Sequence, residues 1–208
     1  MIARRIVPFV LVAAVLVPRA AAAVVSIEAF YGITRPDAAD FSSAVEGARD
    51  DPDLFDNSLQ IAGGNVILQL GTLELGAIVD TSFDSGHARQ LAIGGLVGVG
   101  FDLAEVIRIE ALGEVGAQRY GDFTEDRDIV TSSSSDQWFA YVGLRPGIAF
   151  HFNPYGPGFV LGLWGFVRWD LDSTEMDVTV ASADDVSPGS IELGGTTIGA
   201  VARLGVEF

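Results

Sequence analysis

From Ile198 to the last residue the chain alternates strictly. Ile198, Ala200, Ala202, Leu204, Val206 and Phe208 share one parity, and Gly199, Val201, Arg203, Gly205 and Glu207 the other. Successive side chains of a β-strand point to opposite faces, so one face here is apolar and the other carries an Arg and a Glu. The same pattern recurs upstream. Val25, Ile27, Ala29, Tyr31 and Ile33 oppose Ser26, Glu28, Phe30 and Gly32. Leu75, Ala77, Val79, Thr81 and Phe83 oppose Glu74, Gly76, Ile78 and Asp80. Leu91, Ile93, Gly95, Val97, Val99 and Phe101 oppose a face that is small except for Leu96: Ala92, Gly94, Gly98 and Gly100. Ile107, Ile109, Ala111, Val115 and Ala117 oppose Arg108, Glu110, Leu112, Glu114 and Gln118. Trp138 to Phe152 on even numbers is apolar, against Gln137, Tyr141, Arg145 and His151. Phe159, Leu161, Leu163, Val167, Trp169 and Leu171 oppose Trp164, Phe166, Arg168 and Asp170. The segment from Asn57 to Gly71 is mixed. Leu59 and Ile61 have one parity, and Ala62, Val66, Leu68 and Leu70 the other, which predicts a β-bulge at Gly63–Gly64.

That makes eight predicted strands, and the connections between them alternate in length. Arg35–Asp56, Asp84–Gln90, Gly121–Asp136 and Asp172–Ser190 are the longer ones, whereas the joins near Gly71, at Asp102–Ala104 and at Asn153–Gly158 are short. Met176 to Ala181 still alternates, so the last hairpin is expected to extend past the others. Both ends of the strand array then lie on the short-turn side. Aromatics mark both ends of the strands. Tyr31, Phe83, Trp138 and Trp169 fall at the loop side, and Phe101, Phe150, Phe152, Phe159 and Phe208 at the turn side; Tyr120 breaks this pattern. Outward aromatic girdles, short turns on one side and long loops on the other are the layout of a barrel in an outer membrane. A soluble sandwich would reverse the faces, apolar inward and polar outward. The expected fold is therefore all-β: an eight-stranded antiparallel up-and-down transmembrane β-barrel. A sheet crossing hydrocarbon must close on itself, because no water is there to satisfy an open edge.

The polar face then looks into the lumen. It carries Glu28, Glu74, Asp80, Arg108, Glu110, Glu114, Arg145, Arg168, Asp170, Arg203 and Glu207. Charges in so narrow a space need partners, which predicts a network of ion pairs. Eight strands leave room for little beyond side chains, so a plugged interior is expected. A narrow ion path through the same residues is the alternative.

Composition adds export to this picture. Arg4 and Arg5 precede an apolar stretch, Ile6–Val17, that is too short to span a bilayer as a helix, and Ala21-Ala22-Ala23 offers a small-residue cleavage pattern. Residues 1–23 read as a signal peptide and residues 24–208 as the barrel domain. The chain has no cysteine, which excludes disulfides and thiolate metal sites. It has no lysine either. The region from residue 24 onward holds nine Arg against 28 acids, a net charge of −19. Such a chain does not bind nucleic acid by neutralising phosphates.

The layout of the mature chain and its terminal stretch, Arg203-Leu204-Gly205-Val206-Glu207-Phe208, resemble the small eight-stranded outer-membrane proteins of the A and X type, within the broader porin-like β-barrel group. The resemblance implies a place in the bacterial outer membrane. It implies contact with outer-membrane lipids and lipopolysaccharide. It also implies that the terminal Phe strand is a signal read by the barrel-assembly machinery. His87, near Ser82, Asp84 and Ser85, is the one candidate for the His-with-Ser-and-acid chemistry of outer-membrane lipid A acyltransferases and deacylases. A solvated loop His is the plainer reading. The acidic runs Arg49-Asp50-Asp51-Pro52-Asp53 and Glu125-Asp126-Arg127-Asp128 offer hard oxygen ligands for divalent cations, without a complete calcium-loop pattern. No cofactor is implied. The expected role is structural, or one of surface interaction through acidic external loops, with lipid modification or a narrow channel as alternatives.

Overall fold

A computed structural model describes residues 23–41, 58–83, 89–121, 129–131, 136–153, 157–181 and 186–208. The predicted signal peptide falls outside the described residues, apart from Ala23. Eight strands form the wall: β1 (Val24–Phe41), β2 (Leu59–Leu70), β3 (Leu73–Phe83), β4 (Arg89–Ala104), β5 (Ile107–Gly121), β7 (Gln137–Phe152), β8 (Gly158–Asp170) and β10 (Val186–Glu207). Two shorter strands, β6 (Ile129–Thr131) and β9 (Thr174–Ala181), lie beyond it. Each wall strand pairs antiparallel with its neighbour in chain order, and β1 pairs with β10 to close the barrel. Phe208 and Val25 exchange backbone hydrogen bonds of 3.0 and 3.2 Å, so the seam is zipped to the last residue.

The β2 register differs from the expectation. It runs unbroken against β1 from Val24↔Gln69 to Thr34↔Leu59, and equally unbroken against β3, so there is no bulge at Gly63–Gly64. Leu59 and Ile61 keep the inward parity of Asn65 and Ile67 and are buried. The apparent switch of face has a simple cause: the long-loop end of the lumen mixes buried apolar side chains, Leu59, Ile61 and Phe139, with buried Thr34, Ser82, Gln90 and Gln118. Tyr120 likewise keeps its parity. It points inward and is fully buried, so it belongs to the interior and not to a girdle.

Three other boundaries move. β1 continues through Pro36 to Phe41, a stretch expected as loop, because β10 extends alongside it. Pro36 is tolerated there because the β1–β2 ladder ends at Thr34↔Leu59, so among the described residues no strand on that side calls for its missing N–H. β4 runs on to Ala104, with an irregularity between Asp102 and Ala104, so the turn lies at 105–106. The last hairpin does extend, as β9 pairs with β10 from Val186↔Ala181 to Leu193↔Thr174 and β6 adds to β9. Gly194 and Gly195, both at positive φ, mark where β10 leaves β8 and joins this outer ribbon. Positive φ is accessible to glycine at little cost.

The wall is apolar on the outside. Ile27, Ile33, Val66, Val79, Ile93, Val97, Val115, Leu144, Leu163, Ile198 and Leu204 are all exposed there. Trp138 and Trp169 are exposed at one end of the barrel, and Phe101, Phe150, Phe152, Phe159 and Phe208 at the other. Tyr31 adds to the first group, its ring 5.7 Å from that of Phe83 and its hydroxyl donating to Gln60 at 2.6 Å. Val115 lies midway between the two belts and is 58% exposed. Replacing Val115 by Arg should destabilise the barrel in bilayers by about 2–4 kcal/mol, the cost of a cation near a bilayer midplane. Urea titration of vesicle-refolded protein measures this, and an unchanged stability would mean that this face does not meet lipid.

Candidate functional site

The lumen holds most of the chemistry, and it is ordered in layers. At the turn side, Glu207 Oε1 lies 2.5 Å from His151 Nδ1, joining the last strand to β7. Nearby, Arg108 donates to Glu74 at 2.6 Å, to Asp102 at 2.8 Å and to the carbonyl of Gly71 at 2.9 Å, so one guanidinium ties two short turns together. Further in, Arg203 bridges Glu28, at 3.0 Å, and Glu110. Trp164 Nε1 donates to the same Glu110 carboxylate at 2.8 Å. Above them Glu114 is shared by Arg145 at 2.8 Å, Arg168 at 2.8 Å and the Tyr141 hydroxyl at 2.6 Å. Arg168 also pairs with Asp80 across the barrel.

Ten of the eleven lumen residues expected from parity are buried on the inner face: Glu28, Glu74, Asp80, Arg108, Glu110, Glu114, Arg145, Arg168, Arg203 and Glu207. Asp170 is the exception. It is half-exposed near the loop-side end and accepts a hydrogen bond from Tyr120 at 2.9 Å in place of an ion pair. Its strand ends there, so Asp170 sits at the mouth and not among the guanidinium groups.

Aromatic rings complete the filling. Arg145, with no exposed surface, stacks over Phe166 at 4.6 Å, Trp164 at 5.3 Å and Phe30 at 5.9 Å, and Arg203 lies 4.1 Å over Trp164. Desolvated cation–π contacts of this kind contribute about 2 kcal/mol each. Phe30, Ile61, Ile67, Ile78, Leu96, Leu112, Trp164, Phe166 and Val201 form one buried apolar cluster around these charges. The inner face is thus a mixed core, whereas the sequence reading stressed its charges. The signal was present in the parity of Phe30, Ile78, Leu112, Trp164 and Phe166.

Room for such large side chains comes from glycine on the adjacent strand. Arg203 is paired with Gly162, Trp164 with Gly147, Phe166 with Gly199 and Phe30 with Gly63. A Cβ at Gly147 would fall 2.0 Å from Trp164, and one at Gly162 would fall 2.5 Å from Arg203 Nε. The bulky residue leans across its partner's bare backbone, and little lumen volume is left over.

His87 and both acidic runs lie outside the described residues. Among the described residues no cluster of His, Asp or Glu has the geometry of a metal site. The terminal stretch alternates to the end, with Arg203, Gly205 and Glu207 inward and Leu204 and Phe208 exposed on the wall.

No family model matches the chain, and no curated protein matches it. Solved structures do. The outer membrane protein OprG from Pseudomonas aeruginosa matches over 90% of this chain and 96% of its own, with a TM-score of 0.54 and 14% identity. The fold is that of the small outer-membrane β-barrels. Neisserial surface protein A matches over 88% of this chain and 98% of its own, at a TM-score of 0.47 and 12% identity. Ail of Yersinia pestis, solved with the heparin analogue sucrose octasulfate, matches over 88% and 99%, at 0.44 and 14%.

Two substitutions test this account of the barrel interior. Arg168→Ala strands Asp80 in the buried core and takes from Glu114 one of its two guanidinium partners, and should cost about 3–5 kcal/mol of unfolding free energy. Gly162→Val drives a side chain into Arg203 and should cost about 1–3 kcal/mol. Denaturant unfolding in lipid vesicles reads both, and wild-type stability in either variant would mean that the lumen is looser than these contacts imply.

Proposed function

We propose that the protein is exported by cleavage of residues 1–23 and resides in the bacterial outer membrane as a non-conducting barrel. It works at its surfaces: the acidic connections on the long-loop side and the apolar wall. The filled lumen carries this reading. Four guanidinium groups, the carboxylates they bridge and an apolar cluster occupy the axis at full burial. The net charge of −19 from residue 24 onward supports a role for the loop side in meeting cationic partners or divalent ions. A hydrated channel would need a continuous polar path, and buried Trp164, Phe166 and Leu112 stand in it. Purified protein in planar bilayers should give no sustained conductance steps. Reproducible single-channel steps that shift on Glu114→Gln would overturn the reading in favour of a narrow pore.

The terminal strand has a second role in this proposal. Phe208 is 65% exposed and its backbone already closes the seam, so its ring is free to be read by the assembly machinery. Phe208→Ala keeps the backbone pairing. It should therefore refold in detergent as the wild type does, while its folded fraction in cell envelopes drops several-fold. Equal assembly of the two proteins in cells would remove the signal role.

A further inference from the structure

The outer wall carries a recess. Where β7, β8, β10 and β1 lie side by side, the outward positions Pro146, Gly165 and Ala200 carry little or no side chain, between Val167, Ile198 and Ile33. The result is a groove of about 550 Å³, within the size range of ligand sites. Its backbone origin is local. Pro146 has no N–H to give, and the β7–β8 ladder passes from Leu144↔Val167 to Gly147↔Trp164 without a pair between them. The groove is apolar except toward the long-loop side, where Arg35 and Ser58 border it. Arg35 is exposed and outward, and no carboxylate among the described residues pairs with it. On a chain with 28 acids, a guanidinium at the lip of a greasy groove selects an amphipathic anion.

We infer that this groove is a lipid site, and that its occupant is lipid A: one acyl chain along Pro146, Gly165 and Ala200, and a headgroup phosphate on Arg35. Three features favour this occupant. The outward wall meets hydrocarbon, so the groove is covered by an acyl chain and not by water. The cationic end lies toward the long loops, the external side of such barrels, where the leaflet is built of phosphorylated glycolipid. A guanidinium binds phosphate through paired, charge-assisted hydrogen bonds. The chain rigidifies the wall where the ladder is interrupted. This inference rests on the outer-membrane placement proposed above, and not on the filled lumen.

Native mass spectrometry of the full barrel, refolded in micelles with lipid A or with phosphatidylglycerol as probe, tests it. One lipid A should be retained per barrel, with phosphatidylglycerol held less. Arg35→Glu should lower retention about tenfold, equivalent to about 1.4 kcal/mol. Gly165→Leu should do the same by filling the groove, and the variant should fold, because the nearest atom to a Cβ there is 4.0 Å away. Gly95→Leu is the control on another part of the outer wall, with its nearest contact at 3.9 Å, and should retain lipid as the wild type does. Circular dichroism confirms folding in each case. Retention that is absent, equal in wild type and both groove variants, or no better for lipid A than for phosphatidylglycerol would overturn the inference. Membrane fractionation separates the two failures. Recovery of the chain from the outer membrane with no lipid A preference rejects only the site, whereas recovery in soluble form rejects the placement itself.

Discussion

Backbone hydrogen bonding in a dry medium is the constraint from which the rest of this molecule follows. An unpaired N–H or C=O in hydrocarbon costs several kcal/mol, so a sheet that enters a bilayer must have no open edge. Closure is achieved by pairing β1 with β10 over the whole height of the wall, up to the reciprocal bonds of Val25 and Phe208. The interruption of the β7–β8 ladder, at Pro146, falls beside a recess that an apolar chain can cover. Where the strands rise beyond the wall, the constraint relaxes. There β1 tolerates Pro36 past the end of the described β1–β2 ladder, and β10 turns away at Gly194 and Gly195.

Closing eight strands fixes the radius, and the radius fixes what can be inside. The lumen is too narrow for water-solvated charges and too polar in sequence for a plain oil core. Both demands are met by setting large inward side chains against glycines on the neighbouring strand. Arg203 over Gly162 and Trp164 over Gly147 show how one strand's bare backbone becomes another's binding surface. Guanidinium groups suit this space because their flat faces stack on rings while their edges meet carboxylates. Arg145 does both at once, between Glu114 and the faces of Phe166 and Trp164. A buried ion pair is by itself weak evidence of net stability. Here its structural consequence is plainer: each guanidinium spans two or more strands and fixes their register.

Much of this was legible in the sequence. Period-two alternation is a one-dimensional property, and any strand that closes a barrel must turn one parity outward. Hence Leu204, Val206 and Phe208 could be assigned to the wall, and Arg108, Glu110 and Glu114 to the lumen, from residue order alone. The reading failed where a face was apolar on both sides. Leu59 and Ile61 suggested a switch of face because greasy positions were equated with lipid, whereas both are buried on the inner face and Ile61 joins the inner cluster. Tyr120 was misread for the same reason, as a girdle residue out of phase.

The linear chain therefore determined the strand number, the two faces, the side on which the ends lie and which charges share the interior, because each depends only on parity and on the lengths of the connections. Which carboxylate meets which guanidinium was decided by the tertiary structure. Arg203 reaches Glu28, 175 positions away, and Arg168 reaches Asp80, 88 away, through strand stagger and closure that no local pattern encodes. The recess at Pro146 is of the same kind: three small residues from three strands become a groove only when the wall brings them together.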